Sequence, residues 1–162
     1  MVLSSLFSAL LVVCAWISVP VPPVSFTLQT FGVFVCLGVL GGKWGTLSIF
    51  LYLLLGLAGL PVFAGFGSGM TVLAGPTGGF LWGFLWAGAV YWALERVSQR
   101  AAAVGAMAAC YLSGCLWFSF WAGGIGFGAA VMTCVVPYLP FDAGKLWLAW
   151  KVSGRIRRSV RI

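Results

Sequence analysis

Long, continuous apolar runs, with most of the charges kept to short connections and the C-terminal tail, leave this chain few ways to fold. A soluble domain of 162 residues needs more polar surface than 7% charged residues and a mean hydropathy of +1.11 can supply. Inside a bilayer every backbone N–H and C=O must find a partner within the protein, so spanning elements are helices or closed barrels. A barrel strand would alternate in polarity over short segments. These runs do not alternate, so the expected fold is an all-α integral membrane protein forming a single membrane domain.

Six spans are expected, at about residues 3–19, 26–40, 44–60, 79–94, 101–121 and 140–154. Pro20, Pro22 and Pro23 end the first. Gly41-Gly42-Lys43 turns the second into the third, and Glu95 to Arg100 is a charged turn between the fourth and fifth. The second and third runs are short for a hydrocarbon core of about 30 Å, which implies local thinning or a tilted neighbour. The first 42 residues contain no Lys or Arg, so the first run reads as a span and not as a cleavable signal peptide. Two connections, 61–78 and 123–139, are rich in glycine yet apolar. Such backbone is tolerated at a membrane where it packs in protein or lines a cavity.

The charges test the count. With six spans, Lys43, Arg96, Arg100, Lys151 and the tail arginines Arg155, Arg157, Arg158 and Arg161 share one side. That asymmetry puts both termini in the cytoplasm and the two apolar connections outside. Five or seven spans would split the charges across the membrane. The net charge of +7 then reads as topology signal and lipid-headgroup contact, not as a nucleic-acid surface.

Several chemistries are excluded. There is no His, no CxxC, and the five cysteines lie mostly inside apolar runs, where they read as small packing residues and not as metal ligands. No nucleophile–base pair is visible, so no catalytic residue and no cofactor is expected. No GK[ST] follows the glycines of the 61–78 connection, so it is not a phosphate loop.

Asp142 and Lys145 stand apart. They lie three residues apart near the start of the last span, on one helix face. Asp142 in a first turn agrees with the helix dipole, and Pro140 is a normal helix opener. Lys145 opposes the dipole, and a buried lysine costs about 2.5–3.5 kcal/mol on insertion scales. A bound anion would explain it, facing both the ammonium and the helix N-terminus. Asp142 could then accept N–H donors from a neutral polar head. A structural ion pair is the competing reading. Gln29 should point inward, because facing lipid would be costly. Ser4/Ser8 and Ser5/Ala9 on the first span are small-xxx-small pairs that admit a close helix.

At these residues the chain resembles the BioY family, biotin-binding S components of energy-coupling-factor (ECF) transporters. Four patches carry the resemblance: Pro22 to Thr30 (PPVSFTLQT), Gly59 to Gly65 (GLPVFAG), Gly75 to Phe80 (GPTGGF), and the Pro-x-x-Pro-x-Asp-x-x-Lys stretch at 137–145. The resemblance implies six helices in a bacterial inner membrane and biotin capture at the outer face. It implies coupling to a transmembrane T component and two ATP-binding subunits. Asp142 and Lys145 match the family's biotin-recognising pair. The other residues expected around the ligand are Phe26, Gln29, Gly65, Ser68, Gly69, Gly75, Thr77, Gly78 and Tyr91, and Ser5/Ala9 is the expected docking motif. The chain departs from the family at Phe141, Gly144 and Phe80. The residues themselves leave open an S component for another small anionic vitamin, or a solitary transporter or channel.

Overall fold

The structure is a computed structural model and describes residues 2–21 and 25–160. Pro22, Pro23 and Val24, part of the first patch, and Arg161 of the tail lie outside the described residues. The elements are α1 (Val2–Trp16), β1 (Ser18–Val19), β2 (Phe26–Thr27), α2 (Gln29–Leu57), a 3-10 turn (Ala64–Phe66), α3 (Gly69–Leu73), α4 (Gly78–Leu94), α5 (Gln99–Trp121), α6 (Phe127–Cys134) and α7 (Leu139–Val160).

The helix α2 is not one rod. In a straight helix Gln29 and Tyr52 would lie about 34 Å apart along the axis, yet Gln29 Nε2 donates to the Tyr52 hydroxyl at 2.8 Å. Likewise Cys36 Sγ reaches the Gly45 carbonyl at 3.7 Å. The chain therefore folds back at Gly41, whose φ of 78° and ψ of 172° suit glycine alone. The product is an antiparallel helical hairpin with arms 29–40 and 42–57. A Cβ on Gly42 would collide with the backbone of Trp92, so α4 passes hard against the turn. Glu95, just beyond α4, accepts the Gly42 N–H at 2.7 Å and satisfies an otherwise orphan donor at the start of the second arm.

Counted this way, six helical arms alternate in direction: α1, the two arms of α2, α4, α5 and α7. The hairpin is central, with α1, α4 and α7 packed along it and α5 packed along α4. Leu11, Leu37, Ile49, Tyr52 and Phe63 are fully buried in the core between them. The Ser8 hydroxyl lies within reach of the Ser4 and Ser48 carbonyls, at 2.9 and 2.8 Å, so Ser4/Ser8 packs α1 onto the hairpin within the chain. Ser5 and Ala9 face outward, flanked by exposed Leu6 and Val13.

Boundaries differ from the sequence reading in three places. Phe26 and Thr27 pair with Ser18 and Val19 in an antiparallel ribbon, so the first arm starts only at Gln29. The connections are less irregular than expected, since 61–78 holds the 3-10 turn and α3 and 123–139 holds α6. And α7 continues to Val160, carrying Arg155, Arg157 and Arg158 on its last turns, where cations complement the helix C-terminus. The arms of α2 rise only about 18 and 24 Å, short of a core of about 30 Å.

The two ends of the molecule differ. At one end Trp16 Nε1 donates to the Pro61 carbonyl at 2.8 Å, and the apolar connections gather there. At the other lie the hairpin turn with Lys43, the Glu95–Arg100 connection, and the end of α7. Here Arg157 Nε donates to the Val39 carbonyl at 3.3 Å and the Arg100 guanidinium sits 4.7 Å from the Trp150 ring. Every described basic side chain other than Lys145 lies toward this second end.

Candidate functional site

The first turn of α7 opens with Leu139-Pro140, where a proline costs no hydrogen bond. The Asp142 N–H closes onto the Tyr138 carbonyl at 2.9 Å. This turn aims Asp142 and Lys145 into the protein, and Asp142 is only 6% exposed. One carboxylate oxygen of Asp142 accepts from Lys145 Nζ at 2.8 Å. The other accepts from the Tyr111 hydroxyl, on α5, at 2.7 Å. Lys145 Nζ also donates to the Thr27 carbonyl at 2.7 Å and lies 3.9 Å from the centroid of the Phe26 ring. These five groups tie α5, α7 and the ribbon together at the apolar end.

Beside them is a cavity of about 160 Å³. Its walls are largely apolar and aromatic, with Phe34, Phe63, Phe80, Phe84 and Met107 facing in, and its few polar groups include Ser25, Thr30 and Thr77. This is the usual make-up of a small-molecule pocket, a greasy body with few orienting groups. Aromatic rings close its edge. Phe26 stacks with Tyr138 at 6.4 Å and meets Phe141 edge-on at 5.3 Å. Tyr138 lies in the connection before α7, where burial first and Cys134 second push its phenol up, so it caps the cavity as a neutral ring.

Among the described residues no buried side-chain polar atom lacks a partner. The acid and the base therefore satisfy each other and their neighbours. Lys145 spends two of its three N–H donors on Thr27 and Asp142, so a ligand's anion can take the third or exchange with the Thr27 carbonyl. Lys145 and Tyr111 each take one lone pair of Asp142, one on each oxygen, and the carboxylate keeps further acceptor capacity.

Of the residues expected around a ligand, Phe26, Gln29, Thr77, Asp142 and Lys145 line the cavity together. Gln29 points inward through Tyr52, whose hydroxyl continues to the Val62 carbonyl at 3.1 Å. Gly65, Ser68, Gly69, Gly75, Gly78 and Tyr91 are not on the lining. Gly65 and Gly69 carry left-handed backbone, with φ of 64° and 74°. The Ser68 carbonyl accepts from Thr71 at 3.2 Å and that of Gly75 from Trp117 Nε1 at 2.9 Å. Gly78 presses on the backbone of Leu73. These residues shape the connection whose neighbours Phe63, Ala64 and Val72 do reach the cavity. Tyr91 lies instead on a second crevice, beside Arg157.

Sequence reasoning missed Tyr111. Its signal was a phenol inside a long apolar helix, which needs a hydrogen-bond partner when buried, while Asp142 on another helix needs a donor. It also missed the Thr27 carbonyl, because a backbone acceptor carries no side-chain signature.

The BioY family matches residues 1–162 of the chain. A biotin transporter BioY of Thermotoga maritima is 41% identical over 160 residues, covering 96% of this chain and 94% of the relative. A probable biotin transporter BioY of Pyrococcus horikoshii is 36% identical over 155 residues, with the same coverage of 96% and 94%. The fold is similar to the crystal structure of the S-component for biotin from an ECF-type ABC transporter. There the TM-score is 0.85 at 24% identity, over 96% of this chain and 88% of the other.

Proposed function

The chain belongs to the BioY family, and from that premise we propose that it is a membrane subunit that captures biotin from outside the cell for ATP-driven uptake. The observation that supports this most is Lys145, a cation held 2.8 Å from Asp142 beside an otherwise apolar cavity at the N-terminus of a helix. Biotin offers what the cavity lacks: a carboxylate for Lys145 and the helix N-terminus, a ureido ring whose N–H groups suit Asp142, and an apolar body for the aromatic walls. On binding, the ligand carboxylate takes the third Lys145 donor or the one now spent on Thr27. Asp142 receives the ureido N–H groups on its remaining lone pairs and keeps Tyr111.

The basic end lies in the cytoplasm and the cavity end outside, by the positive-inside asymmetry. The outward face of α1 with Ser5 and Ala9 docks a transmembrane T component, since small residues let another helix approach. Two ATP-binding subunits supply the energy. The role is transport in a bacterial cell membrane, not catalysis.

Titration calorimetry of the purified full-length chain with biotin tests the site. Binding of one biotin per chain is expected, and Lys145→Ala and Asp142→Ala each weaken it tenfold or more. Unchanged affinity in both variants overturns the assignment. A thermal-shift panel of vitamins separates biotin from another small anionic vitamin. A larger shift with a different vitamin moves the ligand while leaving the site.

A further inference from the structure

Toward the basic end there is a second, larger crevice of about 370 Å³, which shares only Phe34 with the cavity at the other end. The helices α5 and α7 meet at the Tyr111–Asp142 bond and part below it, since each packs along a different neighbour. The gap is floored by Phe34, Tyr91 and Leu146 and roofed by Trp150, over which Arg100 lies. Three arginines of α7, Arg155, Arg157 and Arg158, stand around it, while Lys151 beside them turns its ammonium over the Trp147 ring at 3.7 Å. Arg157 spends one N–H on the Val39 carbonyl and keeps four more donors.

An apolar slot with cations at its mouth fits neither a soluble anion nor a neutral lipid. A soluble anion would leave the apolar floor uncovered, and a neutral lipid would leave the cations without a counter-charge. We infer that this crevice binds an anionic phospholipid, for which cardiolipin is the probe. One acyl chain lies against Phe34 and Leu146, and the phosphate meets the arginine donors, which grip phosphate oxygens in a planar fork. Basic pockets between membrane helices recognise headgroups of this kind.

The test titrates the full-length chain in detergent with three probes, reading adducts by native mass spectrometry. The probes are cardiolipin, phosphatidylcholine of the same chains, and inorganic pyrophosphate. One cardiolipin should bind at least tenfold tighter than phosphatidylcholine, with no pyrophosphate adduct at equal concentration. Arg155→Gln/Arg158→Gln should weaken cardiolipin tenfold. Gly154→Leu should do the same with every charge in place, because a Cβ there grows into open space on the crevice wall. Both variants should elute monodisperse and melt within a few degrees of the parent. Equal affinity for phosphatidylcholine overturns the inference, as does pyrophosphate binding as tight as cardiolipin, or retained cardiolipin affinity in both variants. A partner protein chemically cross-linked through the crevice in native membranes, in place of lipid, overturns it too.

Discussion

Each oxygen of Asp142 accepts from one protein donor, so each partner can be removed and the remainder read. Tyr111→Phe leaves one carboxylate oxygen without its phenol and should lower stability by about 1–3 kcal/mol, seen in thermal melting of the ligand-free protein. Lys145→Ala strands a buried carboxylate and should lower it by about 3–5 kcal/mol. The double variant Asp142→Ala/Lys145→Ala should melt above Lys145→Ala alone, because the unpaired charge is gone. A double variant no more stable than the single one would mean the pair is not coupled. In the proposed site Lys145 meets the carboxylate, which biotin and desthiobiotin share, so Lys145→Ala should weaken both by the same factor in calorimetry. The acid and the base were legible in the sequence because nothing else charged lies in the first half of the last span or inside the other five. The glycines were not, because a glycine marks left-handed backbone, close helix contact or ligand approach with the same letter. Gly65 and Gly69 answer to the first and Gly78 to the second.

Among the elements, the hairpin of α2 depends most on single groups. Glu95 reaches from the end of α4 to the Gly42 N–H, placing a carboxylate at the positive end of the second arm. Glu95→Gln keeps the shape and loses the charge. It should cost about 0.3–1 kcal/mol in thermal melting, more at low salt than at high salt. Gly42→Ala should do far worse, since its methyl would meet the Trp92 backbone. A variant as stable as the parent would show that the turn and α4 part easily. The turn itself was legible from Gly41-Gly42-Lys43. The ribbon of Ser18–Val19 with Phe26–Thr27 was not, because two-residue strands have no period to detect. Nor was the length of α7, whose arginine-rich end reads as tail by hydropathy but continues the helix.

For the whole molecule, the orientation is testable because all five native cysteines are buried. An introduced cysteine therefore labels against a quiet background. In intact cells a membrane-impermeant maleimide should label Gly126→Cys, at the cavity end, where a side chain meets open space, and should leave Arg96→Cys untouched until the cells are permeabilised. The reverse pattern would invert the topology and put the cavity inside. The separation of charge described for the two ends has a further result. Both acids are engaged internally, Asp142 by Lys145 and Tyr111, Glu95 by the Gly42 N–H. The outer surface is thus a cation at one pole and nearly uncharged at the other. A living membrane holds its interior at negative voltage, and moving one charge outward against 100 mV costs about 2.3 kcal/mol. In the proposed orientation, with the basic pole inside, the protein is ballasted by the cell's own voltage, and depolarisation lightens the ballast without touching a single contact.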